Sequence, residues 1–335
     1  MPRGSVIPGG PGSTGGGTPA PGATAARPLV DASGRPGRDS LVSSAALLVV
    51  AVTGAAQSLL LVLISGGGTT ADAVIAAYSL FLVVALLAGA TRSSLVPLFG
   101  PTAPEAAFRA RAAETASRTA LVGIVAAVVT AVVTPAIVVL LSGTLDADAR
   151  VTFAASMAIL APAGYLQVRS AGCSAVLAAT NRFRTSAIIY AACATGACAA
   201  AALLLEAIGA LGLPVAALLG AVALAAAHHR VLAGFGIRVA ERPAMLAERE
   251  QWRLTRALLL MAAVPLAWQL QLLLALAAVS PLPGEVTAYT YAYFLVNAAL
   301  TVTVASGSLV TLPALVAGLA RDGARAATDY LDRVV

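Results

Sequence analysis

Between residues 41 and 317 the chain returns eight times to an apolar stretch long enough to cross a hydrocarbon core, which takes about 20 residues of helix. The stretches are 41–65, 72–99, 119–142, 151–180, 185–207, 210–233, 254–280 and 286–317, and none carries an Asp or Glu near its middle. Hydrocarbon offers the backbone no hydrogen bonds, so only helices or closed barrels span it. These are Ala/Leu/Val runs without the ten-residue polar/apolar alternation of a barrel. The expected fold is therefore all-α: a polytopic membrane protein of eight transmembrane helices. Composition agrees, with 59% hydrophobic residues, 11% charged residues and a mean hydropathy of +0.89.

The basic residues then set an orientation. All 21 are Arg, and 18 of them fall in alternate inter-helix segments if the N-terminus is cytoplasmic. The opposite loops hold only Arg150, beside Asp146 and Asp148. This is the positive-inside pattern, which accounts for the net charge of +6 as topology and leaves a nucleic-acid partner without support. Residues 1–40, rich in Gly, Pro, Ser and Thr, bury too little apolar surface to fold and are expected to form a disordered cytoplasmic tail. Segment 234–253 contains Pro243, Trp252 and alternating charges, and reads as an amphipathic linker on the inner leaflet.

Enzyme chemistry has no constellation to rest on. Cys173, Cys193 and Cys198 lie at membrane depth as small hydrophobes, and His228-His229 sit side by side near the interface, where neighbouring helix positions do not face each other. No metal spacing, phosphate loop or catalytic set is found, so no cofactor and no enzyme activity are expected.

The chain also repeats. Ala77-Tyr78-Ser79-Leu80 returns as Ala292-Tyr293-Phe294-Leu295, Ser93-Ser94-Leu95-Val96-Pro97 is answered by Ser308-Leu309-Val310-Thr311-Leu312-Pro313, and Ala46-Leu47-Leu48 with Gln57 by Ala257-Leu258-Leu259 with Gln269. Two helices return in order, as in transporters built from two homologous lobes. Residues 41–233 would form a complete six-helix lobe and 254–335 the first two helices of a second.

The candidate binding residues are the polar groups at membrane depth. Arg169 lies near the middle of span 151–180, where a charge costs about 2.5–3.5 kcal/mol and calls for a wet cavity or a partner. A cavity role binding an anionic head group stands against pairing with carbonyls freed by Pro162. Arg92 is close enough to the cytoplasmic end to snorkel. Asp72 opens the second helix and reads as its cap. The eighth span has a polar stripe that includes Thr290, Tyr293, Asn297, Thr301 and Ser308, and Tyr78, Gln57 and Gln269 add polar groups on the matching helices. Acid-based proton or sodium coupling has no carrier in these spans.

The stretches Ala71-Asp72-Ala73 with Ala77-Tyr78, Ser93 to Phe99, Leu160-Ala161-Pro162, Val176 to Phe183, Gly284-Glu285-Val286 with Tyr291-Ala292-Tyr293, and Leu312-Pro313 resemble the lipid II flippase (MurJ, MviN) branch of the multidrug/oligosaccharidyl-lipid/polysaccharide exporters. The resemblance runs over about 41–320. It implies two six-helix lobes around a cavity that opens alternately inward and outward in the plasma membrane. The implied cargo is an undecaprenyl-linked saccharide, and the implied partners are membrane lipids and cell-wall synthesis proteins. Asp72 carries over from the family pattern. The family's arginines on the first helix, its basic pair midway along the second and its Asp-Arg on the eighth do not, because 41–65 holds no Arg, 82–87 are apolar and Tyr293-Phe294 stand in the last place. Arg92 and Arg169 are the replacement charges this chain offers. Two other functions stay open: a small-molecule efflux carrier, and an inactive scaffold in an envelope-synthesis complex. The resemblance leaves four to six helices of a full transporter unaccounted for, as in a fragment, a truncated product or half of an assembly.

Overall fold

The structure, a computed structural model, describes residues 36–66, 68–96, 105–141, 146–180, 182–238, positions 256, 260, 263, 267, 270–272 and 274–279, and residues 285–300. Every regular element among these residues is a helix: α1 (Pro36–Ser65), α2 (Thr69–Leu95), α3 (Glu105–Leu141), α4 (Ala147–Ala179), α5 (Phe183–Ile208), α6 (Gly212–Gly234), α7 (Leu270–Val279) and α8 (Glu285–Leu300). Four stretches of the described residues are long and apolar enough to cross a membrane: Leu41–Ser65, Thr69–Gly89, Ala147–Ala179 and Phe183–Gly234. The last contains two helices, because Gly209, at φ 66, stops α5 and a 3-10 turn over Gly209–Leu211 folds the chain back into α6. Helix α1 starts at Pro36, inside the segment expected as tail. Tail residues 1–35, linker residues 239–253 and residues 301–335 lie outside the described residues.

Short polar groups set the helix ends. Asp146 caps α4, its carboxylate accepting the Ala149 amide and the Thr69 hydroxyl, each at 2.8 Å. These bonds, the amide foremost, hold its pKa below the ordinary carboxylate value. The Thr69 bond also places the first turns of α2 and α4 at one end of the bundle. At the other end α6 closes with Gly236 at φ 73, where the Ile237 amide reaches back to the Leu232 carbonyl and the Gly236 amide to Ala233. Within the helices, hydroxyls such as Thr53, Ser79, Thr91 and Ser170 donate to carbonyls of the preceding turn, which satisfies them without a partner helix.

Helix α4 is the hub, packed by α2, α3 and α6, while α1 rests on α5 and α5 on α6. Glycine makes these approaches possible. A Cβ on Gly164 would stand 2.9 Å from Val84 Cγ1 of α2, and one on Gly172 would overlap the Thr119 side chain of α3. Gly220 of α6 meets the Ala197 Cβ of α5 at 2.8 Å in the same sense. Helices α1 and α2 scarcely touch each other, and α8 lies against both. The helices α1, α5, α6, α4 and α2 thus follow one another around a ring that α8 closes between α1 and α2, with α3 outside it on α4. Its acidic end is filled by Leu61, Ile75, Phe81, Phe153, Leu205 and Leu213, and its basic end is closed by Leu95, Val176, Leu177, Leu232 and Ile237. At the basic end the Arg182 guanidinium lies 4.3 Å from the Phe235 ring centre.

Substituting Gly172→Ala should lower the thermal midpoint of the chain in detergent by the equivalent of about 1–3 kcal/mol of overpacking. A companion Thr119→Ala should restore part of the loss. Gly196→Ala, whose Cβ meets nothing within 4 Å, should leave the midpoint unchanged or raise it slightly. Equal effects at both glycines would contradict the packing described.

Candidate functional site

The packed register of α2 on α4 decides which polar groups meet. Val84 lies against Gly164, and both helices run in the same direction from the Thr69–Asp146 contact. Arg92 therefore sits about three residues, or about 4.5 Å of rise, nearer the basic end than Arg169. By the same register Tyr78 lies about 16 Å above Arg169. The two arginines share a level, and Tyr78 does not.

Arg92 crosses the interior of the ring. Its Cζ is 5.8 Å from the centre of the Tyr190 ring on α5, within cation–π range, and its buried Nε has no hydrogen-bond partner among the described residues. Tyr190 in turn meets His228 of α6 edge to face, with ring centres 5.3 Å apart. His228 is fully buried. Its Nδ1 is 3.0 Å from the Leu224 carbonyl, which can only accept, so Nδ1 carries the proton and Nε2 accepts from Ser186 Oγ at 3.2 Å. Ser186 Oγ is 2.7 Å from Ser174 Oγ on α4, and Ser174 also bonds the Tyr190 hydroxyl. One buried chain of polar contacts joins α4, α5 and α6 and holds up the aromatic face on which Arg92 rests. Hydroxyls, an imidazole and a phenol supply every contact in it, with no carboxylate.

Arg169 points elsewhere. Its Nη1 donates a long 3.5 Å bond to the Tyr165 hydroxyl one turn earlier, and its charge acts on Cys173 and on His229 of α6. Arg169 Nε and His229 Nε2 are both buried without a hydrogen-bond partner among the described residues.

Several sequence expectations change on this geometry. Helix α4 begins at Ala147, so Arg169 lies about 9 Å from the helix middle toward the basic end rather than almost at it. Pro162 frees the carbonyl of Ala158, eleven residues and about 16 Å before Arg169, and so cannot supply that arginine's partner. Arg92 lies over Tyr190 inside the bundle rather than snorkelling outward. Asp72 is not the cap of α2: Gly68 holds that position, and Asp72 is buried in the first turn. His228 is core, not interfacial, with its neighbour His229 only half-buried.

The remaining candidates are separate from the arginine level. The Tyr78 hydroxyl donates to Gln57 Oε1 at 3.1 Å, a buried bond between α2 and α1. Tyr293 packs on the Leu272–Leu276 cluster of α7, and Asn297 follows one turn later in α8. Gln269 and Thr301 lie outside the described residues. Ser174, Ser186 and Tyr190 were not among the sequence candidates. A lone Ser or Tyr in an Ala-rich helix gives no signal until packing sets it opposite a histidine.

Residues 61–333 match the family model described as lipid II flippase MurJ. Among solved structures the chain is similar to a lipid II flippase MurJ in an inward closed conformation, at 15% identity and a TM-score of 0.60, over 77% of this chain and 54% of that one. It is also similar to a MATE protein in a bent conformation, at 14% identity and a TM-score of 0.65, over 90% and 69%. A third is a MOP superfamily transporter from Pyrococcus furiosus, at 15% identity and a TM-score of 0.63, over 90% and 68%. The chain thus spans about half the length of the MurJ structure it matches. No curated protein matches it.

Replacing His228 by Ala removes the centre of the buried polar chain and leaves the Ser186 hydroxyl one partner short. The thermal midpoint should fall by the equivalent of about 2 kcal/mol, while His229→Ala should cost less than half as much. Equal losses at the two histidines would show that the His228 contacts do not hold the lobe together.

Proposed function

The chain belongs to the lipid II flippase MurJ family, a family of transporters and not of enzymes, and from that membership we propose that it moves an undecaprenyl-linked cell-wall or polysaccharide precursor across the plasma membrane by alternating access. The reading takes residues 41–233 as the six-helix first lobe, 254–335 as the start of a second, and eight spans in all. The N-terminus and the basic end then face the cytoplasm. The packing of Tyr293 on α7 parallels that of Tyr78 against Gln57 of α1, which supports the repeat. Membrane lipids surround the protein, and cell-wall synthesis proteins are its expected neighbours.

The single observation that carries the reading is Arg92. A guanidinium held on an aromatic face, with no carboxylate partner among the described residues, keeps its N–H fork available for an anion that arrives and leaves. A diphosphate is the anion that such a fork recognises in two-point contact, and a lipid-linked sugar carries one. An acidic partner would have neutralised the site permanently. Asp72, buried in the first turn of α2, the α8 residues Tyr293 and Asn297, and Thr301 of the eighth span are on this reading cavity residues, with Gln57, Tyr78 and Gln269 on the flanking spans.

One observation favours a second reading. The MATE and MOP structures cover more of this chain than the MurJ structure does, and the buried Tyr78–Gln57 pair is the kind of uncharged contact a drug cavity uses. Efflux of small molecules is the function it suggests.

In cells depleted of their own lipid II flippase, expression of the chain should restore precursor translocation. Arg92→Leu should reduce it by tenfold or more, on the order of one lost charge-assisted contact, and Arg92→Lys should retain part. Full translocation by the Leu variant would remove Arg92 from the substrate path. Drug efflux without precursor translocation would establish the second reading instead.

A further inference from the structure

The level below the middle of α4 holds a second basic group that the transport reading does not use. Arg169 belongs to α4 and His229 to α6, two helices that pack directly on each other; the Ser186 bridge sets His228 near the level of Ser174, so His229 lies about six residues, or about 9 Å of rise, from Arg169 along the seam. Arg169 has only the long Tyr165 contact, and both its Nε and His229 Nε2 are buried with no hydrogen-bond partner among the described residues. No carboxylate among those residues pairs with Arg169, and a half-buried cation without a counter-charge is costly in a membrane-spanning helix. Arginine presents N–H donors and no acceptor, and the buried His229 Nε2 is a second polar atom on the seam without a hydrogen-bond partner among the described residues.

Beside these two half-buried groups both helices also carry exposed residues, Pro162 on α4 and Ala226, Arg230 and Ala233 on α6. His229 is five residues, about 7.5 Å of rise, from the end of α6 at Gly234, within reach of the polar layer of the leaflet at the basic end.

We propose that Arg169 and His229, brought together across the α4–α6 seam, bind one phosphate-type oxyanion from outside the chain, which serves as the missing counter-charge. The guanidinium gives the anion a fork of N–H donors, the imidazole adds a single N–H, and the Tyr165 hydroxyl completes the shell by turning from Arg169 to the anion. A lipid head group and free phosphate share this chemistry. The seam between two lipid-facing helices makes the site separate from the ring interior crossed by Arg92, so it stands whether or not the transport reading does.

The test uses the full purified chain and the variants Arg169→Gln and His229→Gln. Native mass spectrometry with phosphatidylglycerol reads retained lipid, and thermal midpoints with inorganic phosphate, against chloride at equal ionic strength, read the free ion. A lipid head group as ligand predicts one tightly held phosphatidylglycerol per wild-type chain, released about tenfold more readily in either variant. Free phosphate as ligand predicts a midpoint rise in the wild type that both variants lose, with equal lipid retention in all three. Should Arg169→Gln fail to fold, His229→Gln carries the same comparison, since its imidazole contributes no observed contact to the fold. Identical lipid retention and identical phosphate response in wild type and variants would overturn the site.

Discussion

The rest of the lobe depends on the close approach of other helices to α4. Gly164 and Gly172 thin that helix on two sides, letting Val84 of α2 and Thr119 of α3 reach the backbone where a methyl group would collide. In a bilayer this matters more than apolar character, because lipid tails are as apolar as leucine and only packing and polar contacts favour one helix neighbour over another. The approach fixes the register of α2 on α4, and register fixes which polar groups share a level. Arg92 and Arg169 come within about 4.5 Å of rise of each other because Val84 sits on Gly164.

From that level the two halves of the lobe differ in character. Toward the acidic end the ring is filled by Phe153, Ile75, Leu205 and similar side chains, with the Tyr78–Gln57 bond among them. Toward the basic end Ser174, Ser186, His228 and Tyr190 form a satisfied network that is rigid because every polar member has a partner. Arg92 and Arg169 are the exception, being buried in part and without a hydrogen-bond partner at Nε among the described residues. A satisfied frame around unsatisfied cations is the arrangement expected of a site that receives an anion.

The helical class and the family were legible in the sequence: long apolar stretches without central carboxylates require helices, and the motifs at 71–99, 160–183 and 284–313 resemble the family whose model matches residues 61–333. What the sequence did not carry was direction around each helix. Arg92 looked free to snorkel because its distance from the helix end allows it, yet Tyr190 holds it inward. His228 looked interfacial from its neighbours His229 and Arg230, yet the close α5–α6 hairpin buries it on Ser186. Asp72 has the chemistry of a cap, but Gly68 takes the cap position four residues earlier and leaves it in the first turn. Ser174 and Ser186 were silent because a serine declares a role only through the residue opposite.

On the proposed transport reading the arginine-bearing end of the helices lies in the cytoplasmic leaflet, so that Arg92 meets its anion from that side. Single cysteines at 184 and 236, at the basic end, and at 148 and 206, at the opposite end, test this in intact cells with a membrane-impermeant maleimide after the native thiols are replaced. Labelling of 148 and 206 alone is the predicted result. Labelling of 184 and 236 with 148 and 206 protected would place the arginines in the outer leaflet and contradict the account.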